Sequence, residues 1–279
     1  MPARRHRGIC KAGRNRSKFG FTSQKHRPVI IYDYPLSEKI RTLLRLENLY
    51  QKVQYFARRS DPEEHHAALL TLFEILETGA RADLKSDLLQ ELERQRSVLE
   101  QLRTNPAVSL DALEGVLHDM ERTSAALLGS AGKFGQPLRE NEWLMAIKQR
   151  SSIPGGVCEF DLPSYHYWLH VAPEARQRDL VAWVEPILPI YHGLRIVLRL
   201  LRESGRPTPL VAHQGVYQQT PAGKVAQMLR VHLDPKFPCV PEISANKHAL
   251  NIRFITPGSS ERPHLYERDV EFALAFCNL

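Results

Sequence analysis

The chain has 279 residues, 43% hydrophobic and 25% charged, which is room for one large domain or two ordinary ones and excludes a disulfide-stapled miniature, a collagen-like repeat or a wholly disordered chain. Its formal charge of +7 comes from one end: residues 1–27 hold nine Lys or Arg and no acid, while the other 252 residues carry 29 cations against 31 acids. Cys10, Cys158, Cys239 and Cys277 stand far apart with no C-x-x-C pair, which excludes a zinc-knuckle or redox motif and points to free thiols in a reducing compartment.

Segment 1–27 interleaves its cations with Phe19 and Phe21, the pattern of a disordered basic arm, and lacks the apolar run of a secretory signal. Residues 29–34 read as a β run able to add an edge strand. Ser37 then caps a helix whose apolar positions Ile40, Leu43, Leu44, Tyr50, Val53 and Phe56 recur every three or four residues. Asp61-Pro62 opens a second helix that stops at Gly79, a third runs over 82–103, Ser109 opens a fourth, and 138–150 forms a fifth. A long helix over 173–203 must kink near Pro186 and Pro189. Its apolar window contains Glu185, Arg195 and Arg199, each costing about 2.5–3.5 kcal/mol in hydrocarbon, so no membrane span is expected.

After Ser204 the period changes from 3.6 to 2. Leu229, Val231 and Leu233 alternate with Arg230 and His232; Leu250, Ile252 and Phe254 alternate with Asn251 and Arg253; Val270, Phe272, Leu274 and Phe276 alternate with Glu271 and Ala273. The pattern predicts an α+β protein: a mostly α-helical domain over 28–203, a smaller antiparallel β-rich domain over 204–279, and an N-terminal edge strand joining that sheet.

No catalytic signature survives inspection. Residues 129–134 miss the phosphate-loop spacing, with Leu127 where glycine and Phe134 where a hydroxyl would stand. His166 and His170 are one turn apart but lack the glutamate of H-E-x-x-H, so they read as aromatic packing with Tyr165, Tyr167 and Trp168. Ser244-Ala245-Asn246-Lys247 is S-x-x-K without its companion motifs, and His65-His66 reads as solvated surface on an acidic helix. No enzyme, cofactor or metal is expected. Arg195, Arg199, Arg202 and Arg206 would form one stripe if their helix ran on, and the polar sheet face offers Arg230, His232, Lys247 and Arg253; together they would line a groove for an acidic peptide.

Two strings, residues 34–47 (YPLSEKIRTLLRLE) and residues 152–163 (SIPGGVCEFDLP), resemble in order and spacing the ZapD family of FtsZ-associated cell division proteins. Gly135-Gln136 with Leu138-Arg139-Glu140, His166-x-Trp168-Leu169-His170, residues 215–218 and Ile252-Arg253-Phe254 extend the similarity to roughly 29–276. The resemblance implies a cytoplasmic homodimer at the midcell division ring, without catalytic activity; the need for two sites and helices more apolar than one buried stripe each requires place the expected dimer contact in the helical domain. It would bind the C-terminal tail of FtsZ and cross-link the filaments into bundles. Candidate contacts inside or beside the matched strings are Arg41, Arg45, Lys133, Arg139, Arg150, His166, Lys247 and Arg253, with Arg230 added from the sheet face. The alternative from another class is a nucleic-acid-binding protein using the basic tail and the basic sheet face.

Overall fold

Helix starts carry the caps that the sequence announces. The computed structural model describes residues 29–80, 83–130, 132–220, 225–246, 248–258 and 262–279; the basic segment 1–27, Cys10, Ala82 and Lys247 lie outside them. Ser37 accepts from the Ile40 backbone N–H and opens α1 (Glu38–Ala57), and Asp61, with Pro62 in the first turn, accepts from Glu63 and opens α2 (Pro62–Gly79). Asp83 and Ser109 cap α3 (Leu84–Glu100) and α4 (Leu110–Gly129) in the same way. The helix expected over 138–150 is two, α5 (Gln136–Arg139) and α6 (Glu142–Ser151), because the Asn141 side chain accepts from Leu144 N–H at 3.0 Å and starts a new helix. A further helix, α7 (Pro163–His170), was not read from the sequence, since its aromatic residues are weak helix formers and proline alone marks its first turn.

The expected kink is a short 3-10 turn, Glu185–Ile187, between α8 (Pro173–Val184) and α9 (Leu188–Ser204). The span Pro173–Ser204 is long and apolar enough by composition to cross a membrane, yet half of its most apolar window is buried. Leu194, Val197, Leu198 and Leu201 of α9 are core residues, packed against α1, α3 and α4. Tyr50 of α1 stacks on Tyr191 with ring centres 4.8 Å apart and donates to the Ile187 carbonyl at 2.8 Å, tying α1 to the kink. Its burial pushes the phenol pKa well up.

His65 overturns the expectation of a solvated pair, because it is fully buried. Its Nδ1 accepts from Arg176 Nε at 2.8 Å and its Nε2 donates to the Arg59 carbonyl at 2.7 Å. Arg176, 3% exposed, also donates to the carbonyls of Ser60 at 2.6 Å, of Leu169 at 2.8 Å and of Val171. A buried guanidinium must have its donors satisfied, and here carbonyls and a neutral imidazole do so. The loop after α1 is thereby pinned to the loop before α8.

The β unit comprises β1 (Ile30–Pro35), β2 (Thr208–Ala212), β3 (Val216–Gln219), β4 (Met228–Leu233), β5 (Val240–Ala245), β6 (Leu250–Ile255) and β7 (Val270–Cys277). They form two antiparallel sheets, in the orders β1-β4-β7-β2 and β3-β6-β5, and β1 is the edge strand expected before the helices. Strands β2, β3 and β5 carry no clear alternation signal. Pro209 of β2 and Pro241 of β5 fall on edge strands, where a missing N–H breaks no central ladder. The sheets enclose a second core in which Leu229, Val231, Leu233, Phe272 and Leu274 of one meet Leu250, Ile252 and Phe254 of the other. The opposite face of β4 and β7 is covered as well: Met228, Ala275 and Cys277 belong to the helical core. The molecule is therefore layered as helices, four-stranded sheet, three-stranded sheet.

Candidate partner-binding surface

The nine candidate cations fall into three places, with Lys247 outside the described residues. The first is the C-terminus of α2, where backbone carbonyls lack helical partners and the helix dipole is negative. Arg139 Nη2 donates to the Leu76 carbonyl at 2.6 Å, and Lys148 of α6 donates to Glu77 Oε1 at 2.7 Å. The loop bearing Lys133 packs on the same helix end. A Cβ on Gly79 would run into the Phe134 ring, and one on Gly135, at φ +67°, into Leu76 Cδ2. Beside them a cavity of about 600 Å³ is lined by the cations Lys39 and Arg45 and by the acids Glu38, Glu77 and Asp87. Arg41 stands one turn before Arg45 with its Nε 3.2 Å from Glu38 Oε2, the pairing expected of a solvated α1 face.

Packing thus brings Arg139 and Lys148 onto one helix end and Arg45 and Lys39 into the cavity beside it, with Lys133 exposed on the loop that packs there; Lys39 and Lys148 were missed by sequence reasoning. Lys39 precedes Arg41 in a matched string and Lys148 precedes Arg150, but nothing local marks either as facing α2. The resident acids are loosely held: side chains of Glu38, Glu77 and Asp87 are 75%, 66% and 46% exposed.

The second place joins the end of α6 to the loop before α7. Arg150 Nη1 lies 3.4 Å from Asp161 Oδ1. His166 is exposed, its ring 4.4 Å from that of His170. Neither histidine packs in the aromatic cluster predicted for them. That cluster is made by Trp143, Tyr165, Trp168 and Trp183 on the buried side, and Tyr167 is 72% exposed. Alternation along α7 decides this: 165 and 168 face inward, 166, 167 and 170 outward.

The third place corrects the expectation of a single basic sheet face. Arg253 is exposed on β6, in the middle of the outer three-stranded sheet, between Val216 of β3 and Glu242 of β5. Arg230 points the other way, toward the helical layer. Its Nε bonds Asp33 Oδ1 at 2.7 Å, and Arg202 of α9 holds Asp33 Oδ2 at 2.9 Å and both Glu47 oxygens at 2.8 and 2.5 Å. The bond to Glu47 keeps Arg202 protonated more firmly than usual. These two arginines lock β1, β4, α1 and α9 together and are spent inside the molecule. The predicted stripe breaks up accordingly: α9 ends at Ser204, before Arg206, Arg202 turns inward, and Arg195 and Arg199 stay exposed. Among the described residues no three His, Cys, Asp or Glu side chains gather as a metal cluster. The thiol of Cys239 is pushed up to about 11 by burial.

Helical body, double-sheet unit and cations exposed at helix ends and on the outer sheet define an α+β protein. The family described as ZapD, cell division protein, matches residues 44–253. Proteins named cell division protein ZapD from Aromatoleum aromaticum and an Azoarcus species are each 58% identical, over 252 and 251 residues, covering 90% of this chain and 98% and 100% of theirs. The one from Nitrosomonas europaea is 53% identical over 251 residues, covering 90% of this chain and 96% of its own. The chain belongs to the ZapD family of cell division proteins.

Proposed function

We propose that this protein binds the C-terminal tail of FtsZ and, as a homodimer formed through its helical part, cross-links FtsZ filaments into bundles at the cytoplasmic division ring. The observation that carries this reading is that Arg139 and Lys148 sit on the end of α2 while Arg45 and Lys39 line the cavity beside it. Their resident acids form exposed ion pairs, which contribute little individually. Exchange of those acids for carboxylates of an incoming peptide is therefore cheap, and only those new charge-assisted hydrogen bonds that the bound peptide shields from water gain as much as about 1.5–3 kcal/mol. Arg253 and the Arg150–His166 region supply further contacts.

A dimer offers two equivalent sites. The second attachment along a polymer is effectively intramolecular, so avidity exceeds single-site affinity by roughly 10² to 10⁴ while each contact stays weak and reversible. Cosedimentation with FtsZ filaments, with and without their C-terminal tail, tests the reading. Binding and bundling are expected with the tail and lost without it, and light scattering is expected to give twice the chain mass. Removing residues 1–27 takes away nine cations but none of the gathered ones, so bundling should persist while nonspecific DNA binding falls. Loss of bundling on that truncation, or tail-independent pelleting, would place the function elsewhere.

A further inference from the structure

The solvent side of α7 carries His166 and His170, one helical turn apart, while Tyr165 and Trp168 on its other side are 1% and 7% exposed. Side chains at i and i+4 on a helix lie one above the other, and these two rings stand 4.4 Å apart centre to centre. His170 Nδ1 lies 2.8 Å from the His166 carbonyl oxygen. A carbonyl oxygen only accepts, so Nδ1 carries the proton and the lone pair of the neutral ring sits on Nε2. That is the arrangement that orients metal-binding histidines, in which a backbone carbonyl holds one ring nitrogen and leaves the other free.

We propose that His166 and His170 form a two-imidazole binding site for a divalent transition-metal ion, Cu²⁺ or Zn²⁺. Histidines at i and i+4 on one helix face can each bring a ring nitrogen to about 2.0–2.1 Å from one ion, the spacing that H-E-x-x-H sites use. Imidazole favours copper, nickel and zinc over the oxygen-seeking Mg²⁺ and Ca²⁺, and Cu²⁺ binds most tightly in the divalent series. Among the described residues no third ligand completes a cluster, so the remaining positions belong to water or to a ligand from another molecule. Binding at such an open site is reversible, requires both rings, and weakens as acid protonates either of them. It depends neither on FtsZ nor on the dimer.

The test uses the full chain, stripped with EDTA and titrated calorimetrically with CuCl₂ and separately with ZnCl₂ at one fixed pH of about 7.5, because metal affinity depends on pH. His166→Ala, His170→Ala and the double variant are run beside it, with every other histidine, including His6 and His26 of the basic segment, left in place. One class of site is expected to weaken by about tenfold or more in each single variant, because one ring cannot chelate, and to disappear in the double variant. Electron paramagnetic resonance of the Cu²⁺ form is expected to show two coordinated nitrogens at that site. Metal-free variants should melt with the parent, since both rings are exposed, which separates lost binding from lost folding. Variants that bind like the parent, a single variant that keeps half the stoichiometry at unchanged affinity, or a spectrum with one nitrogen overturns the proposal.

Discussion

Replacing Arg253 by glutamate separates a binding role from a structural one. Leu250, Ile252 and Phe254 on the same strand are 2%, 0% and 0% exposed, so the side chain at 253 faces outward and its change opens no cavity. The new carboxylate would stand opposite Glu242 in the β5–β6 register. A like-charge cross-strand pair costs about 0.2–1 kcal/mol, which for a chain of this size is a fall in melting temperature of about 4 °C at most. Loss of one charge-assisted hydrogen bond to a peptide carboxylate is larger, about 1.5–3 kcal/mol, or roughly 10- to 150-fold in single-site affinity. A dimer loses it at both sites, so bundling should drop more steeply than binding. The assays are calorimetric melting and pelleting with FtsZ filaments at two salt concentrations, with Arg253→Gln as the variant that removes the charge without creating the repulsion. A glutamate variant that melts and bundles like the parent at low salt would remove the outer sheet from the binding surface and leave the α2 end alone. One that melts about 10 °C or more early, against the roughly 4 °C of a surface effect, would refute the outward placement.

Three further outcomes follow from the interior. Arg176→Leu strands His65 and the carbonyls of Ser60, Leu169 and Val171, and is expected to destabilise the fold by about 2–5 kcal/mol in urea unfolding; a loss below about 0.5 kcal/mol, the scale of a surface change, would contradict the pin. Asp33→Ala leaves Arg230 without its carboxylate while Arg202 keeps Glu47, and should cost about 1–3 kcal/mol, with a double-mutant cycle against Arg230→Ala showing coupling. His65, His66, His192 and His232 have pKa values lowered chiefly by burial, with Arg176 also acting on His65, Arg195 and Arg122 on His192, and Arg230 on His232. The unfolded chain then takes up protons first, so stability is full above about pH 6.5 and falls as pH drops below it toward the folded values; melting temperatures that stay flat from pH 7 to about pH 5 would contradict this.

Much of this molecule is written locally. Ser37, Asp61 and Ser109 cap helices because their side chains meet N–H groups two or three residues on, and the alternation of Leu229-Val231-Leu233 and Leu250-Ile252-Phe254 is a property of the strand itself. Adjacent residues decide both, so the α+β order, the edge strand and the matched family strings were legible from sequence. What lies behind each face was not. Alternation says that Arg230 and Arg253 both point away from the inter-sheet core, yet one then faces the helical layer, held by Asp33 of β1 beside Arg202 of α9, and the other meets water, because their strands belong to different sheets. The same limit hid His65, whose acidic neighbours suggested solvent until Arg176, 111 positions later in the chain, closed over it. It also hid the placing of residues 139 and 148 on the end of α2 and of residues 39 and 45 in the cavity beside it. Periodicity fixes a side chain's direction from its own element, and only tertiary packing decides which other element, or none, stands in that direction.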